Sequence, residues 1–226
     1  MIQRVSVPKL RKLLSKNISR ISSLDKDEMA IPSLLHWNPL IRWLMWRRYE
    51  LISHLSAFSK DMIVLEFGCG TGVFLPELAV NCNKVYAIDL FPEYAKLLCK
   101  ELNLIVSFKE NISQIHNSSL DIIIAADVLE HLNNNELIEY LKLFSKKLKS
   151  NGRLLISGPT ENIFYKIGRG LAGFGDKGDY HHTNIDNLID TIGQYFDVKR
   201  IKFLPNKHLP YLFKVCEFKQ CSILDE

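Results

Sequence analysis

Short, mainly apolar runs recur along the chain, separated by longer segments with a helical period. The run Met62–Phe67 is followed by Lys84–Ile88 and Leu120–Ala126, each of a length that suits a buried strand. Between such runs, Asn133–Ser150 places leucine, isoleucine and phenylalanine three or four positions apart, as an amphipathic helix does. Strands that alternate with helices in this way predict a parallel sheet covered by helices on both faces. Further strands are predicted over 153–157, 196–204 and 212–218, and a further helix over 184–195.

The first run ends in a turn with glycines at alternate positions, Gly68, Gly70 and Gly72. The first two can adopt backbone angles closed to other residues, and at Gly72 the missing Cβ allows a helix or a ligand to approach. The amides at the start of the following helix would then face the ligand. At the end of the second run, Asp89 could accept hydrogen bonds from both hydroxyl groups of a ribose. The two strand ends together predict a site for a ligand that contains a nucleoside.

The residues around the glycines distinguish between classes of nucleotide-binding loop. A P-loop requires Lys and then Ser or Thr after its last glycine, where this chain has Val73 and Phe74. A dinucleotide-binding loop prefers Gly or Ala at the position of Val73. Glu66, two residues before the first glycine, would repel a pyrophosphate but would attract a ligand that carries an amine and a sulfonium.

The pattern Glu-x-Gly-x-Gly-x-Gly, with an acid one strand later, resembles the class I S-adenosylmethionine-dependent methyltransferases, in particular those that act on small molecules. The resemblance extends from about Asp61 to Ser157 and includes Asp127–Leu132, which is similar to the family's sequence after its fourth strand. It implies an α/β fold, a doubly wound, mostly parallel, Rossmann-like sheet of seven strands with an antiparallel last strand and a helical N-terminal cap. It also implies S-adenosylmethionine as the cofactor.

The resemblance further implies which residues contact this cofactor. They come from the glycine loop, the second strand end, the third unit and the segment after the fourth strand: Glu66, Gly68, Cys69, Gly70, Gly72, Asp89, Leu90, Asn111, Ile112, Asp127 and Val128. Asn111 stands where the family usually has an acid that contacts the adenine amine, and its amide could still bond the edge of the base. Cys69 is interpreted as a small residue that fills space rather than as a catalytic thiol.

A glycine-rich insertion, residues 158–182, leaves the carboxyl end of the fifth predicted strand, where ligands bind in open α/β sheets. In relatives a histidine near this point often faces the acceptor, so His181 or His182 is the predicted base for an oxygen acceptor. No metal site is predicted, because no further ligands at suitable spacing surround the two histidines. Each of these two histidines could instead lie on the face of a helix or cap its N-terminus. The predicted acceptor contacts are Tyr165, Lys166, Arg169 and Tyr180.

Charge is divided unevenly along the chain. Residues 1–60 contain 11 Lys or Arg and 4 Asp or Glu, whereas residues 61–226 contain 18 and 21. A basic helix with Leu10 and Leu13 on its apolar face is predicted near the N-terminus, and it could lie on an anionic membrane, serve as a transit peptide or remain a solvated arm.

All three tryptophans fall in the segment 31–58, between Trp37 and Trp46. Tryptophan beside arginine favours an interface, with lipid headgroups or over a substrate pocket, and the alternative is a helix whose inner face packs on the sheet. If that helix covers the cofactor site, as in many relatives, Arg48 and Tyr49 could reach it.

The chain is therefore predicted to have two parts, a basic arm and helical cap over 1–60 and an S-adenosylmethionine-binding methyltransferase domain over 61–226. Five cysteines without C-x-x-C spacing and no secretory signal predict reduced thiols in the cytoplasm. Peripheral membrane contact is an option through residues 1–24 and 31–58. No apolar run is long enough to span a bilayer.

The predicted function is methyl transfer from S-adenosylmethionine to an oxygen, or less favourably a nitrogen or carbon, of a small-molecule or lipid-linked acceptor. A nucleic-acid methyltransferase is an alternative that only the basic N-terminus supports. Against nucleic acid as a partner, Asp127–Glu130 stands where many base-methylating relatives have Asn/Asp-Pro-Pro-Tyr/Phe. A non-catalytic scaffold that binds the cofactor is the third alternative.

Overall fold

The computed structural model describes residues 2–15, 31–171, 182–208 and 210–221. Most strands lie at predicted positions, whereas the short strand Ser107–Phe108 matches no predicted run. The strands are β1 (Ile63–Phe67), β2 (Lys84–Ile88), β3 (Ser107–Phe108), β4 (Leu120–Ala126), β5 (Leu148–Pro159), β6 (Phe196–Leu204) and β7 (Phe213–Gln220). The helices are α1 (Val7–Ser15), α2 (Ile31–Leu34), α3 (Pro39–Ser56), α4 (Leu75–Asn81), α5 (Glu93–Glu101), α6 (Asn134–Lys147), α7 (Ile163–Leu171) and α8 (Ile185–Ile192).

Within the described residues these strands form one sheet in the order β3-β2-β1-β4-β5-β7-β6. Strands β1 to β5 run parallel, and β7 lies antiparallel between β5 and β6. The chain winds outward in one direction from β1 and in the other from β4, so the topological switch point lies between these two strand ends. The predicted fold, a doubly wound, mostly parallel sheet of seven strands with an antiparallel last strand, is confirmed.

Both faces of the sheet are covered by apolar side chains. On one face, α6 and α8 pack residues such as Phe144 and Leu188 against the strands. On the other face, α3, α4 and α5 contribute Ile52, Leu78 and Ala95. The central strands are buried on both faces, which explains why they read as continuous apolar runs instead of alternating ones.

Helix α6 begins as predicted but ends earlier. Asn133 caps it, since its side chain accepts a hydrogen bond from the Glu136 amide while the Glu136 carboxylate accepts one from the Asn133 amide. The helical prediction to Ser150 is wrong by three residues, because Leu148 pairs with Leu120 and begins β5.

Helix α3 is the main part of the N-terminal cap. The Asn38 side chain accepts a hydrogen bond from the Leu40 amide (2.9 Å), and the helix ends at Ala57, which adopts a left-handed conformation. Of the two tryptophans in this helix, Trp46 is buried and Trp43 is exposed, so only one of them lies on an inner face. Trp37, just before the helix, is 80% exposed.

The N-terminal helix α1 packs on the protein. Leu10, expected on an apolar face available to lipid, is only 4% exposed and packs with Val73 and Leu98 in a small cluster that includes Trp46. The Gln3 amide also donates a hydrogen bond to the Glu77 carboxylate (2.8 Å). Helix α1 is therefore amphipathic, as its periodicity predicts. Its apolar face is covered by α5 and the cap and is not available to lipid. Residues 16–24 lie outside the described residues.

Candidate functional site

The glycine loop connects β1 to α4 at the carboxyl edge of the sheet. Gly68, Gly70 and Gly72 all have positive φ, at 73°, 51° and 74°. A Cβ on Gly68 would lie 2.5 Å from Val128 Cγ2, and one on Gly72 would lie 2.8 Å from the Ala95 Cβ. Glycine is therefore required both by conformation and by space, and the absence of a side chain at Gly68 brings the segment after β4 against the loop.

Asp89, directly after β2, fixes this loop through its carboxylate. Its Oδ2 accepts a hydrogen bond from the Gly70 amide (2.6 Å), and its Oδ1 accepts one from the Phe91 amide (2.8 Å). A carboxylate has about four lone-pair sites, so both oxygens keep capacity for hydroxyl donors. Leu90 beside it is exposed. The loop and the second strand end thus come together as the sequence predicted.

Glu66 in β1 is the most unusual group of this region. Its side chain is 2% exposed, and Oε2 has no hydrogen-bond partner within the described ranges. Burial, followed by the nearby Asp89 charge, raises the pKa of Glu66 well above its usual range. An unpartnered buried carboxyl is costly, and a cationic ligand group beside it would lower that cost. The amine and sulfonium of S-adenosylmethionine therefore fit this site.

The third unit contributes a capping interaction. Asn111 Oδ1 accepts a hydrogen bond from the Ser113 amide (3.0 Å) and caps the short 3-10 turn Ile112–Gln114. Ile112 is buried in the core. Cys69 is also buried, and burial raises the pKa of its thiol well above the usual value, which keeps it protonated and agrees with a space-filling residue.

A polar cluster joins the cap to the ends of β4 and β5. Asp127 has a φ of 54° and accepts a hydrogen bond from the Ser157 hydroxyl (2.8 Å) at Oδ1. Its other oxygen forms an ion pair with Arg48 of α3. The Arg48 side chain is 3% exposed and lies over the Phe213 ring, with 4.7 Å from Cζ to the ring centroid. Its Nε has no hydrogen-bond partner in the part of the chain that the structure describes. Arg48 therefore reaches the site, as the cap interpretation allowed.

Glu130 lies three residues after Asp127, in the 3-10 turn Leu129–His131. Its side chain is 1% exposed and its Oε2 has no hydrogen-bond partner. Burial raises the pKa of Glu130 to about 7, although its own backbone amide and the Arg48 charge act in the opposite direction. Glu130 belongs to the family-like segment Asp127–Leu132, but the sequence alone predicts no role for it.

The predicted acceptor residues are only partly placed. The Tyr165 ring packs edge-on against Phe213 at 5.6 Å between centroids, and the Lys166 side chain is exposed. His182 is exposed, and its amide donates a hydrogen bond to the Glu130 carbonyl (2.8 Å). Arg169 belongs to α7, but its side chain lies outside the described part of the chain, as do Tyr180 and His181. In that part of the chain, no group of three or more His, Cys, Asp or Glu side chains could hold a metal ion.

A family model described as a methyltransferase domain matches residues 10–212. The chain belongs to this methyltransferase family. The ubiquinone biosynthesis O-methyltransferase of Rickettsia akari (strain Hartford) is 28% identical over 155 residues, which are 61% of this chain and 61% of that protein. The thiol S-methyltransferase TMT1B of Rattus norvegicus is 31% identical over 90 residues, 36% of each chain. The chain thus aligns with less than two thirds of either relative's length.

Among solved structures, the N-methyltransferase NodS of Bradyrhizobium japonicum WM9, in complex with S-adenosyl-L-homocysteine, has a TM-score of 0.62 and 20% identity. The alignment covers 87% of this chain and 96% of that one. Likeness at this level of identity concerns the fold, which both chains share. The resemblance to S-adenosylmethionine-dependent methyltransferases, first seen in the glycine loop, is therefore confirmed for the family and the fold.

Proposed function

We propose that this methyltransferase binds S-adenosylmethionine and transfers its methyl group to an oxygen of a small-molecule or lipid-linked acceptor. The observation that carries the proposal is the buried, unpartnered Glu66 oxygen next to the glycine loop and Asp89. Two carboxyl groups without an arginine partner favour a ligand that carries positive charge and a ribose. A nucleotide with a pyrophosphate would be repelled at the same place.

The described residues offer a contact for each part of this cofactor. Asp89 would accept hydrogen bonds from the ribose hydroxyls, and the Asn111 amide would bond the adenine edge. Glu66 would face the amine, and Arg48 Nε, which has no partner, would donate to the carboxylate of the amino-acid part. When bound, S-adenosylmethionine supplies a methyl group that is already activated by the positive charge on sulfur.

The acceptor would lie on the side of Tyr165 and Phe213, whose rings meet edge to face. An oxygen acceptor is favoured by the similarity to ubiquinone biosynthesis O-methyltransferases, and a sulfur acceptor by the similarity to thiol S-methyltransferases. An oxygen acceptor must lose its proton, and His181 and His182 remain the candidates that the sequence proposes for this step.

A lipid-linked acceptor would agree with peripheral membrane contact through the cap. Trp37 and Leu40 are well exposed, and Trp43 lies one turn after Leu40 on the same helix. Such side chains suit the headgroup region of a membrane. None of the helices in the described ranges combines the length and apolar character needed to span a bilayer.

Isothermal titration calorimetry with S-adenosylmethionine, S-adenosylhomocysteine and NAD tests the cofactor proposal. We expect binding of the first two and not of NAD, with Asp190→Ala as a control because Asp190 is an exposed acid of α8. Preferential binding of NAD would refute the proposal. Mass spectrometry of lipid and small-molecule extracts incubated with labelled cofactor would then identify the acceptor.

A further inference from the structure

Glu130 is a buried acid that the glycine loop and its ligand do not explain. It lies just after β4, whereas the proposed cofactor contacts Glu66, Asp89 and Asn111 belong to or follow strands on the β3-β2-β1 side of β4. The 158–182 insertion approaches Glu130 instead. Glu161 at the start of the insertion acts on its charge, and the His182 amide at the end binds its carbonyl. Glu130 is therefore on the acceptor side of the switch point.

The Glu130 carboxyl also has an unused hydrogen-bonding oxygen. Arg48, whose charge acts to lower the pKa of Glu130, forms an ion pair with Asp127. Among the described residues, Oε2 of Glu130 has no hydrogen-bond partner, although the side chain is almost completely buried. A buried polar atom without a hydrogen-bond partner is rare in native proteins and usually has a specific explanation. One such explanation is a ligand that donates a hydrogen bond to it.

We propose that Glu130 is the base that removes the proton from the acceptor, a role that rests on the methyl-transfer function proposed above. The acceptor O–H would donate to Glu130 Oε2 and pass its proton there. The acceptor oxygen would then form a bond to the methyl carbon as the bond from that carbon to sulfur breaks, and the electron pair of the broken bond stays on sulfur. Glu130 would release its proton to water after the products leave.

Burial makes Glu130 a better base than an exposed carboxylate. The low-dielectric surroundings disfavour the charged form, so the carboxylate gains by accepting a proton, and its pKa of about 7 is close to the pH at which it would work. His182 is exposed and would take the proton in contact with water. The charges that act on Glu130 are those of Arg48 and Glu161, while His131 follows it in the chain and the His182 amide binds its carbonyl. Arg48 in turn pairs with Asp127 and is influenced by Tyr165.

The test compares Glu130→Gln with His182→Gln in the full chain, using two probes for the acceptor. Catechol must lose a proton before it reacts, whereas thiophenol is largely ionised at about pH 8 and needs no base. We expect E130Q to lower kcat for catechol by about 10²–10⁴-fold but that for thiophenol by less than about tenfold. The control is Asp190→Ala, which removes an exposed acid of α8 that has no proposed role and should change either rate by less than about threefold. H182Q tests the competing assignment of the base to His182. A structural role for Glu130 would lower both rates equally and would overturn the proposal, as would a loss of catechol turnover in H182Q alone.

Two further measurements keep the outcome clear. Calorimetry with S-adenosylhomocysteine should give E130Q the wild-type affinity within about threefold; a larger loss would assign Glu130 to the cofactor site and refute the proposal. If the wild type itself does not bind the cofactor, the proposed function fails instead.

Infrared difference spectra between wild type and E130Q need no acceptor. The band of a protonated carboxyl should disappear as pH rises through about 7, and Glu161→Gln, which removes a neighbouring negative charge, should move this transition to lower pH. If neither probe is methylated by the wild type, this spectrum decides. A Glu130 that is still ionised at about pH 5 would overturn the proposal.

Discussion

Replacing Glu217 by Gln is expected to loosen the junction between the cap and the sheet. Glu217 in β7 is buried and accepts hydrogen bonds from Arg153 Nη1 (3.0 Å) and from Arg200 Nε. The same guanidinium groups donate to carbonyl groups at the end of α3. Arg153 reaches Leu55 and Ser56 (3.2 and 2.6 Å), and Arg200 reaches Leu55 (2.9 Å). One carboxylate therefore fixes two cations that satisfy the last carbonyls of the cap helix.

The magnitude follows from the burial of the three partners. Breaking a fully buried ion pair by removing one charge costs about 3–5 kcal/mol. The Arg153 and Arg200 side chains are 22% and 50% exposed, so they retain part of their hydration when Glu217 loses its charge. We therefore expect E217Q to lower the free energy of unfolding by about 2–3 kcal/mol. For a protein of this size, that corresponds to about 4–12 °C in Tm.

The contribution of Glu217 to stability should depend on pH, in a direction set by the shift of its pKa. Burial acts to raise the pKa of Glu217, but the hydrogen bonds and charges of Arg200 and Arg153 outweigh it and lower the pKa below its usual value. The stabilisation is therefore fully present above the pKa of an unfolded glutamate, about 4.3, and is lost as pH falls through the lower folded-state value. Urea unfolding of wild type and E217Q should differ at pH 7, and the difference should shrink below about pH 4.

Glu139→Gln is the matched control, because Glu139 is an exposed acid on α6 and its loss should change stability by less than about 0.5 kcal/mol. An E217Q variant within that same margin at pH 7 would refute the reasoning. So would a difference that stays constant as the acid titrates, because the missing charge would then not be the cause.

Three further changes test the site and the surface. Asp89→Ala should weaken S-adenosylhomocysteine binding by about 1.5–3 kcal/mol in calorimetry, since charge-assisted hydrogen bonds to the ribose are lost, and unchanged affinity would contradict this role. Gly68→Ala should lower the free energy of unfolding by about 2–4 kcal/mol in urea, because φ is 73° and the added Cβ meets Val128. Adding Val128→Ala should recover part of that loss, and no recovery would show that the clash is not the cause. Replacing Trp37 and Trp43 by Ser should reduce co-sedimentation with anionic vesicles, and equal sedimentation would exclude membrane contact through these two side chains.

The glycine loop and the strand order could be predicted because their causes are local in the sequence. Three glycines at alternate positions after an apolar run, with an acid at the next strand end, require one backbone path, and the structure follows it with positive φ at each glycine. The end of α6 could not be predicted in this way, because the helix ends where Leu148 pairs with Leu120, a residue distant in sequence.

The environments of Leu10 and Glu130 could not be predicted in the same way. Periodicity shows that α1 has an apolar face but does not tell whether lipid or protein covers it, and the structure places Leu10 against α5. Glu130 follows β4 in a segment that the sequence associated with the cofactor. Its side chain is buried, and the charges that act on it come from Arg48 of α3 and from Glu161 at the start of the insertion, both distant in sequence.

The cap is part of the site rather than a separate unit, and Arg48 is the reason. The acids on the cofactor side, Glu66 and Asp89, form no ion pair with any described residue, which suits a cationic ligand. Among the acids at the end of β4, Asp127 forms an ion pair with Arg48, and the positive charge of Arg48 acts to lower the pKa of Glu130. The Arg48 guanidinium thus lies between two regions. The acids Glu66 and Asp89 attract positive charge, whereas the Glu130 carboxylate is placed to accept a proton. Because Arg153, Arg200 and Glu217 hold the end of α3, a defect at that distant junction would also displace Arg48. E217Q should therefore impair cofactor binding as well as stability, although none of its contacts lies in the site.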